Sequence, residues 1–165
     1  MKCLCFSDSH GTSRGIRRAL SLHRDAEVVF FLGDGLLDIM PLVSEYTKLA
    51  WIFVRGNCDT FREVDNREAK ITDTITLVGK KIVLTHGDRY GAKSGYGELI
   101  SLAKRSCADI VLFGHTHQPY EKFYSEDEVY LFNPGSIGEG YLSLKSYGVI
   151  NLTESGVLLS HGFLT

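Results

Sequence analysis

Short apolar runs alternate with amphipathic stretches over the first third of the chain. Lys2–Phe6 reads as a buried strand, after which Thr12 or Ser13 can cap a helix whose inward positions Ile16, Ala19, Leu20 and His23 recur at spacings of three and four. A second apolar run at 27–32 predicts another strand. Asp38 then caps a helix with Ile39, Leu42, Val43, Tyr46 and Leu49 on one face, Pro41 being tolerated in its first turn. Residues 49–54 supply a third strand. The order βαβαβ favours parallel strands joined by right-handed crossovers.

Beyond Asn57 the pattern changes. Runs at 71–78 and 81–85 flank Gly79-Lys80, a pair suited to a type II′ hairpin turn. A third helix is predicted over 94–105, burying Tyr96, Leu99, Ile100 and Ala103, and a strand follows at 110–113. The remainder reads as strands at 120–124, 129–132, 141–152 and 156–164, separated by polar turns such as Ser125-Glu126-Asp127-Glu128. This order predicts two mixed sheets packed together with helices outside.

Composition narrows the class. At 165 residues, 44% hydrophobic and 23% charged, the chain reads as a single packed domain, 1–165, rather than a disordered or disulfide-framework protein. Eighteen basic against twenty acidic residues leave a formal charge of −2, so no bulk field draws in nucleic acid or an anionic membrane. The opening apolar stretch ends at Phe6, short of the ~7–15 residues of a secretory signal core, and no run approaches the ~18 of a membrane helix. Cys3, Cys5, Cys58 and Cys107 form no framework, and the expected compartment is cytoplasmic. Cys3 and Cys5 share one strand face and read as small buried hydrophobes.

Chemistry collects where the apolar strands end. The first runs into Asp8 and His10, the second into Asp34, the third into Asn57, the run at 82–84 into His86, and that at 110–113 into His115 and His117. In open α/β sheets ligands bind at the carboxyl ends of strands, so these ends can converge on one crevice. Asp8-x-His10 and His115-x-His117, read as extended backbone, send both members of each pair to one side. Singly, such residues more often cap turns or satisfy a polar contact. Together, with glycine adjoining them (Gly11, Gly33, Gly56, Gly87, Gly114), they point to a metal centre. Two carboxylates, one amide and four imidazoles exceed the capacity of one ordinary site, which implies two divalent ions. The donors are nitrogen and oxygen, suiting Mn²⁺ first, with Ni²⁺, Fe or Zn²⁺ as alternatives.

These motifs, Asp8-x-His10, Gly33-Asp34, Gly56-Asn57, His86 and Gly114-His115-Thr116-His117, resemble in kind and order those of the calcineurin-like metallophosphoesterases. The short length, Asn57-Cys58-Asp59 and Asn133-Pro134-Gly135-Ser136 resemble the compact phosphodiesterase branch, which also includes the eukaryotic retromer scaffold subunit. The resemblance implies an α/β fold, a four-layer α/β/β/α sandwich of two mixed sheets flanked by helices. It implies that Asp34 bridges two metals, with Asp8, His10 and His117 completing one site and Asn57, His86 and His115 the other. Two ions, two carboxylates and a bridging hydroxide sum to about +1, which attracts an anionic substrate, and metal coordination lowers the pKa of water from about 15.7 toward 7.

The chain departs from larger phosphatases of the superfamily at Cys58, where they carry a histidine able to protonate the leaving alkoxide. A thiol of ordinary pKa about 8.5 is a poor replacement, so Asn57 and Cys58 read as substrate contacts with weak acid assistance. Asp88 stands where many compact members have a second histidine after His-Gly. Arg14, ahead of Arg17 and Arg18 on the first helix, is a candidate phosphate contact, and 61–70 a candidate flap. His23 and His161 read as structural, whereas Tyr90 and Tyr96 suit either a nucleobase or the core. The expected function is a metal-dependent phosphodiesterase acting by metal-bound hydroxide on a small phosphodiester or nucleotide-like substrate, best with activated leaving groups. A homo-oligomer is compatible with it. The alternatives are a phosphomonoesterase or a non-enzymatic scaffold on the same fold.

Overall fold

In a computed structural model of the chain, which describes residues 1–59, 69–139 and 144–165, the strands form two five-stranded sheets. The first is ordered β10-β9-β1-β2-β3 and the second β4-β5-β6-β8-β7. In the first, β1 (Lys2–Phe6), β2 (Val28–Phe31) and β3 (Ala50–Phe53) are parallel, and β9 (Lys145–Thr153) and β10 (Gly156–Leu164) add an antiparallel edge. In the second, β5 (Lys80–Thr85), β6 (Ile110–Leu112) and β8 (Val129–Pro134) are parallel, with β4 (Thr72–Leu77) and β7 (Pro119–Tyr124) antiparallel at the two edges.

The two-residue period of each strand divides the apolar side chains among three cores. Cys3 and Cys5 of β1 and Val28 and Phe30 of β2 face Ile82 and Leu84 of β5 and Ile110 and Leu112 of β6 between the sheets. The alternate residues Leu4, Phe6, Val29 and Phe31 pack outward against α1 (Arg14–Leu22) and α2 (Leu36–Glu45). Val83, Val111 and Phe113 pack outward against α3 (Gly97–Ser106). Strands buried on both faces need continuous apolar runs, the pattern these strands show, and the result is the four-layer α/β/β/α sandwich expected from the sequence.

Three local readings are corrected. The hairpin pairs Leu77 with Lys80, so its loop is Val78-Gly79, and both residues have positive φ, +48° and +71°, the mark of a type I′ turn rather than a type II′ turn at Gly79-Lys80. Asp38 does not cap α2. The helix begins earlier, at Leu36, because another carboxylate, that of Asp59, accepts the amides of Gly35 and Leu36, and Asp38 instead accepts the Ser9 hydroxyl and the Gly11 amide. The third helix starts at Gly97 rather than at 94, since Gly91 and Gly95 hold positive φ and carry the chain through a turn first. The candidate flap at 61–70 and the start of the strand expected at 141–152 fall largely outside the described residues. No helix among those described is long and apolar enough to cross a membrane.

Candidate metal centre

The parallel strands β1, β2, β5 and β6 deliver their carboxyl ends to one rim of the sandwich, and the polar residues that follow them meet there across the sheet seam. Asp8 and His86 are fully buried and Asp34 is 3% exposed. Asp8 Oδ1 lies 3.2 Å from His117 Nε2, 3.7 Å from His10 Nε2 and 3.9 Å from His86 Nε2. Asp34 Oδ2 lies 3.2 Å from His86 Nε2, and the Nε2 atoms of His10 and His117 are 3.2 Å apart. The His115 ring stands edge-on to His86 with centroids 5.1 Å apart.

The backbone behind these side chains is unusual. Asp8, His10, Asp34, His115 and His117 all have φ between +45° and +67°, the left-handed region, so the x-residue pairs occupy tight turns and not the extended backbone expected of them. Among described non-glycine residues only three others share that conformation, which concentrates backbone strain at the site. Glycine is required where these turns touch: a Cβ on Gly56 would overlap the Asp34 carboxylate, and one on Gly114 would overlap the Ser7 hydroxyl.

The donor set calls for positive charge. His86 Nδ1 donates to the Leu32 carbonyl at 2.8 Å, which leaves Nε2 facing the Asp8 and Asp34 carboxylates as an acceptor. His86 Nε2 and Asp8 Oδ1 are both buried without a hydrogen-bond partner, and a buried acceptor left unpaired is costly. The Asp8 carboxylate, 3.7 Å away, raises the His10 pKa against burial; burial opposes the rise at His86, but Asp34 and Asp8 outweigh it. Burial pushes the Asp8 carboxyl up, yet contacts from His10 and His117 and the charge of His86 hold it below the carboxylate range. Asp34 is likewise lowered, since His86 and the Cys58 amide overcome its burial. His115 is lowered by burial and by the neighbouring His86 and Lys93 charges. Asp8, His10 and His117 form one group of donor atoms within 4.8 Å of each other, and Asp8, Asp34 and His86 form a second. A third group, His10, Asp34 and Cys58, adjoins these two, so Asp8 and Asp34 each belong to more than one group, and the residues fit divalent metal.

Asn57 is exposed beside these groups, its amide donating to Cys58 Sγ at 3.4 Å, while the Cys58 amide donates to Asp34 Oδ1 at 2.7 Å. Cys58 Sγ lies within 4.8 Å of donor atoms of His10 and Asp34, and burial with the Asp34 and Asp59 charges pushes its pKa to about 11. Asn57 also lines a cavity of about 330 Å³ with Arg55, Asp59, Asp88 and Arg89, so the variant Asp88 faces the rim. Arg14 is placed elsewhere, in a groove with Arg18, Lys145 and Thr165. Tyr96 packs on Phe113 and Tyr120, and Tyr90 lies under Arg105, both within the α3 core. His23 binds the Tyr147 hydroxyl and His161 the Asn133 carbonyl.

Supporting residues were not evident from the sequence. Asn133 Nδ2 donates to the Gly114 carbonyl and to Thr116 Oγ1, holding the His-x-His turn, and Ser136 Oγ donates to the Asp8 carbonyl. Glu139 Oε2 lies 3.5 Å from His117 Nδ1. The only signal for them was Asn133-Pro134-Gly135-Ser136, whose spacing carries no ligand pattern.

Comparison with known proteins agrees with this geometry. Phosphodiesterase YfcE of Escherichia coli K12 is 30% identical over 157 residues, covering 83% of this chain and 79% of the relative. A predicted phosphoesterase from Streptococcus pneumoniae superimposes with a TM-score of 0.80 at 23% identity over 98% of this chain and 88% of its own. Vps29 from Entamoeba histolytica, solved with Zn²⁺, gives 0.74 at 20% identity over 99% of both chains. Residues 1–155 match the calcineurin-like phosphoesterase superfamily domain, and the chain belongs to this superfamily.

Proposed function

We propose that the chain is a phosphodiesterase that uses two divalent ions, held by Asp8, His10, Asp34 and His117 on one side and by Asp34, Asn57, His86 and His115 on the other. When bound, the pair supplies a water of lowered pKa and electrophilic positions for phosphoryl oxygens. The observation that carries this reading is the facing pair of orphaned buried atoms, Asp8 Oδ1 and His86 Nε2, 3.9 Å apart.

The chain's own groups set the rest. Asp8 and Asp34 are held as carboxylates, and the Leu32 carbonyl fixes the His86 tautomer. Asn57 and Cys58 stand at the open side, where the substrate's ester oxygens arrive. Cys58 keeps its proton under the Asp34 and Asp59 charges, and a group of pKa about 11 gives that proton up reluctantly, so a leaving oxygen receives little acid assistance. Aryl and other activated diesters are the favoured substrates, and the single charge of a diester matches the centre's net charge of about +1. The YfcE relative, named a phosphodiesterase, supports diester over monoester chemistry. The likeness to Vps29 reaches the fold alone and carries no scaffold role to this chain. Mn²⁺ is the first candidate ion.

Hydrolysis of bis(p-nitrophenyl) phosphate by protein loaded with Mn²⁺, stopped by a chelator and restored by Mn²⁺, is the expected result. Fully loaded protein inert toward diesters and monoesters alike would overturn the proposal in favour of the scaffold.

A further inference from the structure

A carboxylate offers about four lone-pair directions, and Asp59 gives all of its accepting capacity to backbone amides. Its Oδ1 accepts from Gly35 and Leu36, each at 2.9 Å, and its Oδ2 from Asp34 at 2.7 Å and Gly56 at 2.8 Å. Three of these amides run consecutively from Asp34 into the start of α2. The fourth belongs to the loop after β3, which carries Asn57 and Cys58. One side chain thus ties the turn that presents Asp34 to the turn that presents Asn57.

The consequence reaches the Asp34 carboxylate itself. Asp34 holds φ +58°, a conformation that persists in a non-glycine residue only where neighbours enforce it, and Gly35 beside it is at +144°, open to glycine. The Asp34 oxygen that does not face His86 accepts the amide of Cys58, the residue next to Asp59. Freeing Asp59 would loosen the backbone of Asp34 and, through Cys58, the orientation of its carboxylate. From this geometry we propose that Asp59 is a positioning residue of the metal centre, acting through Asp34 and Asn57 without ligating an ion. The inference rests on the reading that Asp34 serves both ions. An ordinary helix cap at the same place would contribute stability and leave metal affinity unchanged.

The test is calorimetric titration of metal-free protein with Mn²⁺, together with thermal melting, for wild type, Asp59→Asn and a control, Leu102→Ala, which removes a side chain buried against the second sheet far from the site. Asn keeps the shape but turns amide hydrogens toward amide donors. Asp59→Asn is expected to lose about tenfold or more in affinity at both ions. With metal saturating, kcat is expected to fall while KM holds. Leu102→Ala is expected to lower the melting temperature while keeping wild-type affinity. Affinity in Asp59→Asn within about twofold of wild type would overturn the proposal, whatever the melting temperature does. Should Asp59→Asn fail to fold, Asp59→Ser, which retains one acceptor, takes its place, and failure of both would assign the residue to folding and overturn the proposal as well. Wild-type stoichiometry separates this from the dinuclear reading: one ion in the wild type contradicts that reading, while the comparison between variants still reports on Asp59.

Discussion

Asp34 Oδ2 and His86 Nε2 lie 3.2 Å apart, although the first follows β2 of one sheet and the second follows β5 of the other. The two sheets are joined again just behind them, by the bond from His86 Nδ1 to the Leu32 carbonyl. The centre is therefore built on the seam of the sandwich, and its donors are held by the packing that holds the fold.

Metal affinity should rise with pH. The folded chain raises the His10 and His86 pKa values above the ordinary 6.5, so protons compete with metal until the pH passes those raised values. His115, lowered, is already neutral there and adds no competition. Titrations with Mn²⁺ across pH 6 to 8.5, in buffers of differing ionisation enthalpy, should show affinity climbing with pH and protons released on binding. Affinity independent of pH, with no release, would contradict it.

The leaving group should matter. With Cys58 a poor acid, rates on a series of aryl and alkyl diesters should fall steeply as leaving-group pKa rises. Cys58→Ala should cost less than about tenfold, or ~1.4 kcal/mol in the barrier. Cys58→His should flatten the dependence where the imidazole reaches the leaving oxygen. A large loss in Cys58→Ala confined to poor leaving groups, at matched metal content, would show that the thiol is a working acid.

Val78, β-branched at φ +48°, occupies the first position of a type I′ turn that favours asparagine. Val78→Asn should relieve the left-handed strain and lose some apolar packing, a net gain of about 0.5–1 kcal/mol. Thermal melting should rise by ~2–4 °C. An unchanged or lower melting temperature would mean that the packing of Val78 outweighs its strain.

The sequence announced the sheets and the donors because both are local signals. A strand buried on two faces must be continuously apolar, and Asp8, Asp34, His86 and His115 are conspicuous where such runs stop. Backbone geometry was less legible: nothing in Asp8-x-His10 distinguishes an extended pair from the left-handed turn that the chain adopts, since Asp and His tolerate both. Longer-range roles were hidden altogether. Asp59 accepts amides more than twenty residues away, and Ser136 binds the Asp8 carbonyl 128 positions back, pairings that only the folded topology creates. Asp38 misled because a helix start shows acceptors near it without showing which one the amides choose.

The most direct measurement of the central claim is the number of metal ions held per chain at saturating Mn²⁺, read by elemental analysis alongside a metal-soaked crystal. Two ions per chain with the Asp34 carboxylate between them is the result predicted, accompanied by loss at both ions in Asp34→Asn and chiefly at one in His117→Ala. A single ion at full occupancy, with Asp34 uncoordinated, would contradict it.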